Sequence, residues 1–277
     1  MDVAFMKKSW WRFQRKAVLL LAVLLVDGGL LGSAAGILRA GKTGAPEGYP
    51  AAAYRASHKE APGSARSGKG ASQKQGGYGG RKSTFQTEGN GNGQKVAALT
   101  FDDGPHKEHT AKLLDGLKER GVKATFFLMG QNIEGNEGLI RRMQQEGHLI
   151  GNHSYRHIQL TNAGEAAVCE AVEQTEEMIE EITGVRPQYL RPPYGDWNDR
   201  LECQVDMTTV FWTVDSLDWK LQNTNQIIRQ VEKKLGDGDI ILMHDIFPTS
   251  VEAALELVDR LQEEGYSFVT VEELLID

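Results

Sequence analysis

The chain has 277 residues, with 31 Lys and Arg against 38 Asp and Glu and a formal net charge of −7, a size for one large domain plus appendages or two smaller domains. The charge is unevenly divided: residues 1–95 carry 15 Lys and Arg against 5 Asp and Glu, and residues 96–277 carry 16 against 33. A C-terminal part this acidic excludes nucleic acid as a partner, because phosphate binding needs the opposite sign.

At the start, Lys7, Lys8, Arg12, Arg15 and Lys16 precede an apolar run at 17–26, the layout of an export signal. The run is only ten residues long before Asp27, and 30–38 extends it toward the length of a membrane span. Ser33-Ala34-Ala35 offers small residues to a signal peptidase. Residues 1–40 therefore read as a basic cytoplasmic stub followed by a cleaved signal or by an uncleaved membrane anchor. Residues 41–94 are rich in Gly, Ser, Ala, Lys and Gln without apolar periodicity. Such a stretch buries too little surface to offset its ordering entropy and reads as a flexible linker.

From residue 95 onward short β-rich runs alternate with helical patterns. Strands are expected at 96–100, 124–128, 148–151, 189–191, 209–214, 239–243 and 267–271. Helices are expected at 110–120, 136–145, 164–183, 223–235 and 250–264, each closed by a glycine. The alternation implies α/β architecture, with parallel strands and crossover helices. About seven such strands can close into a barrel rather than an open sheet, and reactive groups then gather at the strand C-terminal ends. Residues 95–277 are taken as one catalytic domain.

Ionisable residues recur where these strands stop: Asp102-Asp103-Gly104-Pro105, His153 to His157, Arg191-Pro192-Pro193-Tyr194-Gly195, Asp215 to Trp219, and His244-Asp245. Taken alone, Asp-Asp-Gly-Pro is an ordinary turn, and two histidines four apart are weak evidence of a metal site. Their recurrence at five strand ends marks a candidate site. His153 and His157 can face one point on a turn or on a single helical turn and suit a divalent metal. One of the adjacent carboxylates Asp102 and Asp103 can join them while the other accepts a proton from water. His244 is placed to act as a general acid, since amide cleavage must protonate a departing amine. Arg191 can pair with Asp102 and keep it ionised, and Asp218 or Asp215 can tune His244 or Arg191. Trp212, Tyr194, Trp219 and Leu242 offer aromatic and apolar faces for a sugar ring and an acyl methyl. Cys169 and Cys203 fit neither a zinc spacing nor a disulfide framework, and a single bridge between them is left open.

The ordered set Thr100-Phe101-Asp102-Asp103-Gly104-Pro105, His153-Ser154-x-x-His157, Arg191-Pro192-Pro193-Tyr194-Gly195, Asp215-x-x-Asp218-Trp219 and Leu242-x-His244-Asp245 resembles the polysaccharide deacetylase family, the NodB-homology or carbohydrate esterase family 4 domain. The resemblance spans residues 95–275 and, with the stretch 244–250 and the exported layout, looks most like bacterial peptidoglycan N-acetylglucosamine deacetylases. It implies a distorted (β/α) barrel with one divalent metal, zinc or cobalt or another, held by Asp103, His153 and His157. It also implies Asp102 as base, His244 as acid, Arg191 and Asp218 as their partners, and a backbone N–H near Tyr194 that stabilises the tetrahedral oxyanion. Expected partners are an N-acetylated glycan such as peptidoglycan and, through residues 1–40, a membrane. The segment 198–208 departs from the family pattern in being short and lacking proline, which affects the substrate rim rather than the chemistry. An O-acetyl esterase acting on xylan, or a tethered glycan-binding module without catalysis, are the competing readings.

Overall fold

The computed structural model describes residues 95–202 and 205–276. The expected export segment, the linker and Cys203 lie outside them. Among the described residues no helix is long and apolar enough to cross a membrane.

Eight strands form one sheet in which every pairing is parallel. They are β1 (Lys95–Asp102), β2 (Thr125–Leu128), β3 (Leu149–Asn152), β4 (Tyr189–Leu190), β5 (Thr208–Thr209), β6 (Val214–Asp215), β7 (Asp239–His244) and β8 (Tyr266–Val269). The order is β5-β4-β3-β2-β1-β7-β6. On one side β1 pairs with β7 along Ala97 to Asp102, and on the other it is shared between β8 at Lys95 to Ala98 and β2 at Thr100 to Asp102. β1 is thus the axis of the sheet, which is why Ala97 to Asp102 are all buried.

The helices are α1 (His109–Glu119), α2 (Glu137–Gln145), α3 (Glu165–Thr183), α4 (Asp199–Glu202), α5 (Asp218–Leu221), α6 (Thr224–Glu232), α7 (Pro248–Glu263) and α8 (Val271–Ile276). Each long helix buries a stripe at helical spacing, for example Leu113, Leu114 and Leu117 on α1 and Val168, Ala171, Val172, Thr175 and Ile179 on α3. α3 stops at Gly184, whose φ of 74° is the left-handed cap that glycine adopts at little cost. α7 opens on Pro248, where the missing N–H is not needed. Segment 198–208 contains, among its described residues, the four-residue α4 and at Thr208 the start of β5.

Strand alternation sorts the central residues into two sets. Leu99, Phe101, Phe126, Leu128, Ile241 and Met243 pack outward in one cluster with Leu113, Leu117, Val251 and Leu257 of the helices. The intervening positions, Ala98, Thr100 and Asp102 on β1, Phe127 on β2, and Ile240, Leu242 and His244 on β7, take the inner face of the curl. Each fully buried leucine of the outer cluster contributes about 2 kcal/mol of apolar burial.

The expected strand 209–214 is two strands. β5 pairs with β4 at one end of the sheet and β6 with β7 at the other, and residues 210–213 run between the two edges. A chain crossing that gap cannot ladder with both neighbours. Its polar groups are met piecemeal: Val210 N–H donates to Leu190 O (2.8 Å), Thr213 N–H to Ile240 O (3.0 Å), and the Val210 and Phe211 carbonyls accept from Arg191 at 3.3 Å each. The remaining strands and the five long helices lie where the periodicity puts them, with ends shifted by up to three residues.

Candidate active site

Parallel register brings the strand ends to one level. Asp102 on β1 is opposite His244 on β7 and Phe127 on β2, and Asn152 on β3 is opposite Leu190 on β4, so that His153 and Arg191 follow at the same height. Alternation alone would turn Asp103 outward, away from Asp102. Its φ of 72° breaks the strand and returns its carboxylate to the inner side. Ser154, His157 and Tyr194 also have left-handed φ of 61°, 53° and 63°, a clustering of strained non-glycine residues typical of functional sites. The His153 to His157 segment is accordingly an irregular turn rather than a helical one.

Asp103, His153 and His157 present ligand-type atoms that all lie within 4.8 Å of one another. Asp103 Oδ1 is 3.5 Å from His153 Nε2 and 3.7 Å from His157 Nε2. Donors about 2.1 Å from a common tetrahedral metal lie about 3.4 Å apart. Asp103 is 2 % exposed, and its Oδ1 is buried without a hydrogen-bond donor, an arrangement costly for a carboxylate unless a cation or a proton completes it. Burial, only partly offset by His244, pushes its pKa up to about 6. His153 Nδ1 lies 2.7 Å from the Arg191 carbonyl. Donating there, the ring leaves the Nε2 lone pair facing Asp103. The Tyr194 ring stands edge-on to His157 at 4.5 Å, and its hydroxyl donates to the His157 carbonyl at 3.3 Å. The three side chains therefore fit a divalent metal.

Asp102 flanks this set on one side. Its Oδ2 is 3.8 Å from His153 Nε2, and its Oδ1 accepts from Arg191 Nη1 at 2.9 Å. Burial raises the Asp102 pKa above the ordinary carboxylate value, against the pull of Arg191 and His244. Arg191 is fully buried. It also donates to Thr100 Oγ1 (2.7 Å), and its guanidinium lies 4.2 Å over the Phe127 ring. Thr100, part of the first motif but given no role from sequence, donates its hydroxyl hydrogen bond to Ile241 O at 2.7 Å and so ties Arg191 to β7.

His244 lies on β7, paired in register with Asp102. Its Nδ1 is 2.8 Å from Asp218 Oδ1, and its backbone N–H donates to Asp218 Oδ2 at 2.7 Å. Burial opposes charge on the imidazole, but Asp218, with Asp103 and Asp102 beyond it, raises the pKa to about 10. Burial likewise opposes the Asp218 carboxylate, and the His244 contact outweighs it and lowers that pKa. Of the two acids considered from sequence, Asp218 is the one on His244. Asp215 instead accepts from Leu217 N–H at 2.8 Å and shapes the turn.

Around these groups, Leu242 shares the inner face of β7 with His244, and the Trp219 backbone N–H donates to Asp218 Oδ1 at 2.8 Å. Trp212 packs against Gly195, leaving no room there for a Cβ, and its ring lies 5.7 Å from the Arg191 guanidinium carbon. Tyr194 is 44 % exposed and forms an accessible rim. Asp245, which directly follows His244, received no role from sequence. It is fully buried beneath Gly104, accepts a hydrogen bond from Thr110, and is pushed up to about 7 by burial.

The chain resembles known proteins in both sequence and fold. The family profile for polysaccharide deacetylase matches residues 89–211. The peptidoglycan-N-acetylmuramic acid deacetylase PdaC of Bacillus subtilis is 43 % identical over 181 residues, covering 65 % of this chain and 39 % of that protein. The chain thus spans about two fifths of the length of that relative. The solved structure of PdaC superposes with a TM-score of 0.64 at 43 % identity, over 65 % of this chain and 90 % of that one. A peptidoglycan-N-acetylglucosamine deacetylase of Bacillus cereus is 39 % identical over 194 residues, covering 65 % of this chain and 70 % of that protein. The family 4 acetyl xylan esterase of Clostridium thermocellum, solved with a cobalt ion, superposes with a TM-score of 0.63 at 35 % identity, over 66 % of this chain and 91 % of that one. With both the curled parallel sheet and the sequence shared at this level, the chain belongs to the polysaccharide deacetylase family.

Proposed function

We propose that this protein is a divalent-metal-dependent hydrolase that removes N-acetyl groups from amino sugars of peptidoglycan. The observation that carries the proposal is the presence of two buried pairs, Asp102 with Arg191 and His244 with Asp218, at the strand ends that carry the Asp103, His153 and His157 cluster. Asp103, His153 and His157 hold the metal. Bound there, zinc or cobalt supplies Lewis acidity toward the attacking water and the acyl oxygen. Asp102 takes the proton of the water, with Arg191 fixing its carboxylate on one oxygen and leaving the other toward the cluster. His244, kept protonated at neutral pH by Asp218, gives a proton to the departing amine. The Tyr194 N–H aids the developing oxyanion. Leu242 receives the acetyl methyl, and Trp212 and Trp219 flank the sugar. The basic, apolar segment at 1–40 supports a location outside the cytoplasm, tethered or released.

Peptidoglycan is favoured by the names of the two curated relatives, and an amide substrate is favoured by an acid held protonated. O-deacetylation of xylan is the second reading, supported by the likeness to the acetyl xylan esterase. Mass spectrometry of muropeptides before and after incubation with metal-loaded protein separates these readings. Loss of acetyl with a new free amine is expected, on glucosamine or muramic acid residues. Acetate release from acetylated xylan alone would replace the proposal, and binding without acetate release from either would leave a glycan-binding module.

A further inference from the structure

Residues 129–132, the turn that follows β2, contribute no atom to the metal cluster, yet they are bonded to both loops that carry it. Toward the aspartate loop, Asn132 Nδ2 donates to the Asp103 carbonyl at 2.7 Å and Met129 N–H donates to the Gly104 carbonyl at 2.9 Å. Toward the histidine loop, Gly130 N–H donates to Ser154 O at 3.1 Å and Gln131 N–H donates to Tyr155 O at 3.0 Å. The turn is itself pinned. Asn132 N–H donates to Met129 O at 3.0 Å, Asn136 Nδ2 donates to Asn132 O at 2.9 Å, and a Cβ on Gly130 would collide with Thr175 and the Tyr155 ring.

Resting on the metal-site reading above, we propose that Asn132 is a positioning residue: its side-chain amide holds Asp103 in its left-handed conformation at a fixed distance from His153 and His157, and thereby sets the metal affinity. Three of the four bonds between this turn and the two loops use backbone donors and are available to almost any sequence. The bond to the Asp103 carbonyl is the one that depends on the identity of a side chain. It acts on the residue whose φ of 72° is unfavourable for any amino acid with a Cβ. Released from Asn132, the Asp103 peptide can rotate toward the ordinary extended conformation of a strand end, which swings the carboxylate away from the imidazoles. The turn thus acts as a spacer between two parts of the site that are 50 residues apart in sequence, from Asp103 to His153.

The test is metal affinity of the full chain, read by competition between the apoprotein and a chromogenic chelator for zinc and for cobalt, so that no substrate is involved. Asn132→Ala and the nearly isosteric Asn132→Leu are expected to weaken binding about 10- to 100-fold, the usual loss when a residue orienting a metal ligand is removed. Two controls should bind metal as the wild type does. Gln131→Ala changes an exposed side chain of the same turn, and Asn136→Ala removes a bond to the turn without touching Asp103. Thermal midpoints of the apoproteins, measured alongside, separate the positioning role from general loosening. Should Asn132→Ala not fold, Asn132→Leu, which keeps the volume, carries the comparison. Folded Asn132 variants that bind metal like the wild type would overturn the inference. So would losses of affinity that simply follow the loss of apoprotein stability across all the variants, Asn136→Ala included. A wild-type chain that binds neither metal would instead remove the metal-site reading on which the inference rests.

Discussion

Replacing Asp218 by Asn tests the acid half of the site. The substitution keeps the shape of the side chain but removes the charge that faces His244 Nδ1 at 2.8 Å. His244 is buried, and burial alone would depress its pKa. The Asp218 carboxylate is the main reason that it rises to about 10. Without that charge His244 loses the largest cause that raises it, and a full return from about 10 to the ordinary 6.5 would be equivalent to roughly 5 kcal/mol between its two protonation states. At pH 8 a group of pKa 6.5 is only about 3 % protonated, so the general acid is about 30-fold depleted by titration alone. The measurement is acetate release from an N-acetylated oligosaccharide at saturating metal, from about pH 5 to about pH 10. The alkaline limb should lie at lower pH in Asp218→Asn than in the wild type, because the largest raising cause at His244 is gone, with residual activity surviving on the acid side. The stability consequence has a definite sign. A raised His244 pKa stabilises the fold fully below the unfolded value of 6.5, and this contribution fades as pH rises through about 10. The variant should therefore be less stable than the wild type at neutral pH, with the gap narrowing at the alkaline extreme. An alkaline limb that does not move in Asp218→Asn would refute the assignment of His244 as the acid governed by Asp218.

The remaining predictions concern the base, the barrel interior and the far end of the sheet. Asp102→Asn should retain metal binding but lose about 100- to 10,000-fold in kcat, whereas His153→Ala should lose the metal itself; chelator titration and steady-state rates on the same two proteins separate these outcomes. Arg191→Met should lower unfolding stability in urea by about 3–5 kcal/mol, because it strands a buried Asp102 and leaves the Val210 and Phe211 carbonyls without their donor. At the opposite end of β3, His148 is buried, accepts the Ala124 N–H at 3.0 Å and has its pKa lowered to about 4. Its neutral form supports the fold above 6.5, and that support is lost as pH falls through about 4. Thermal midpoints should therefore drop more steeply between neutral and acid pH in the wild type than in His148→Gln, and parallel curves would exclude His148 as an acid-sensitive element.

Much of this molecule follows from local rules that act within a few residues. Alternation on β1 and β7 faces Asp102, Leu242 and His244 to one side and Leu99, Phe101, Ile241 and Met243 to the other. Helical spacing with a terminal glycine delimits α1, α2 and α3. Neither depends on what lies across the sheet, so both are legible from sequence, as is the gathering of ionisable groups at parallel strand ends. Other features depend on partners remote in the chain. The segment 209–214 has strand composition throughout, but parallel register pairs its first residue with β4 and its last with β7, at opposite edges of the sheet. The residues between must take other donors, and Arg191 supplies them. Asp103 turns inward because its peptide is held from 29 residues away by Asn132. Asp218 rather than Asp215 reaches His244, because α5 carries its carboxylate to the end of β7 while Asp215 is occupied by the Leu217 N–H. Residue types and their order along the chain thus determined which chemistry was available. The choice of partner for each group was left to packing, because a hydrogen bond is decided by distances of tenths of an ångström that only the assembled sheet defines.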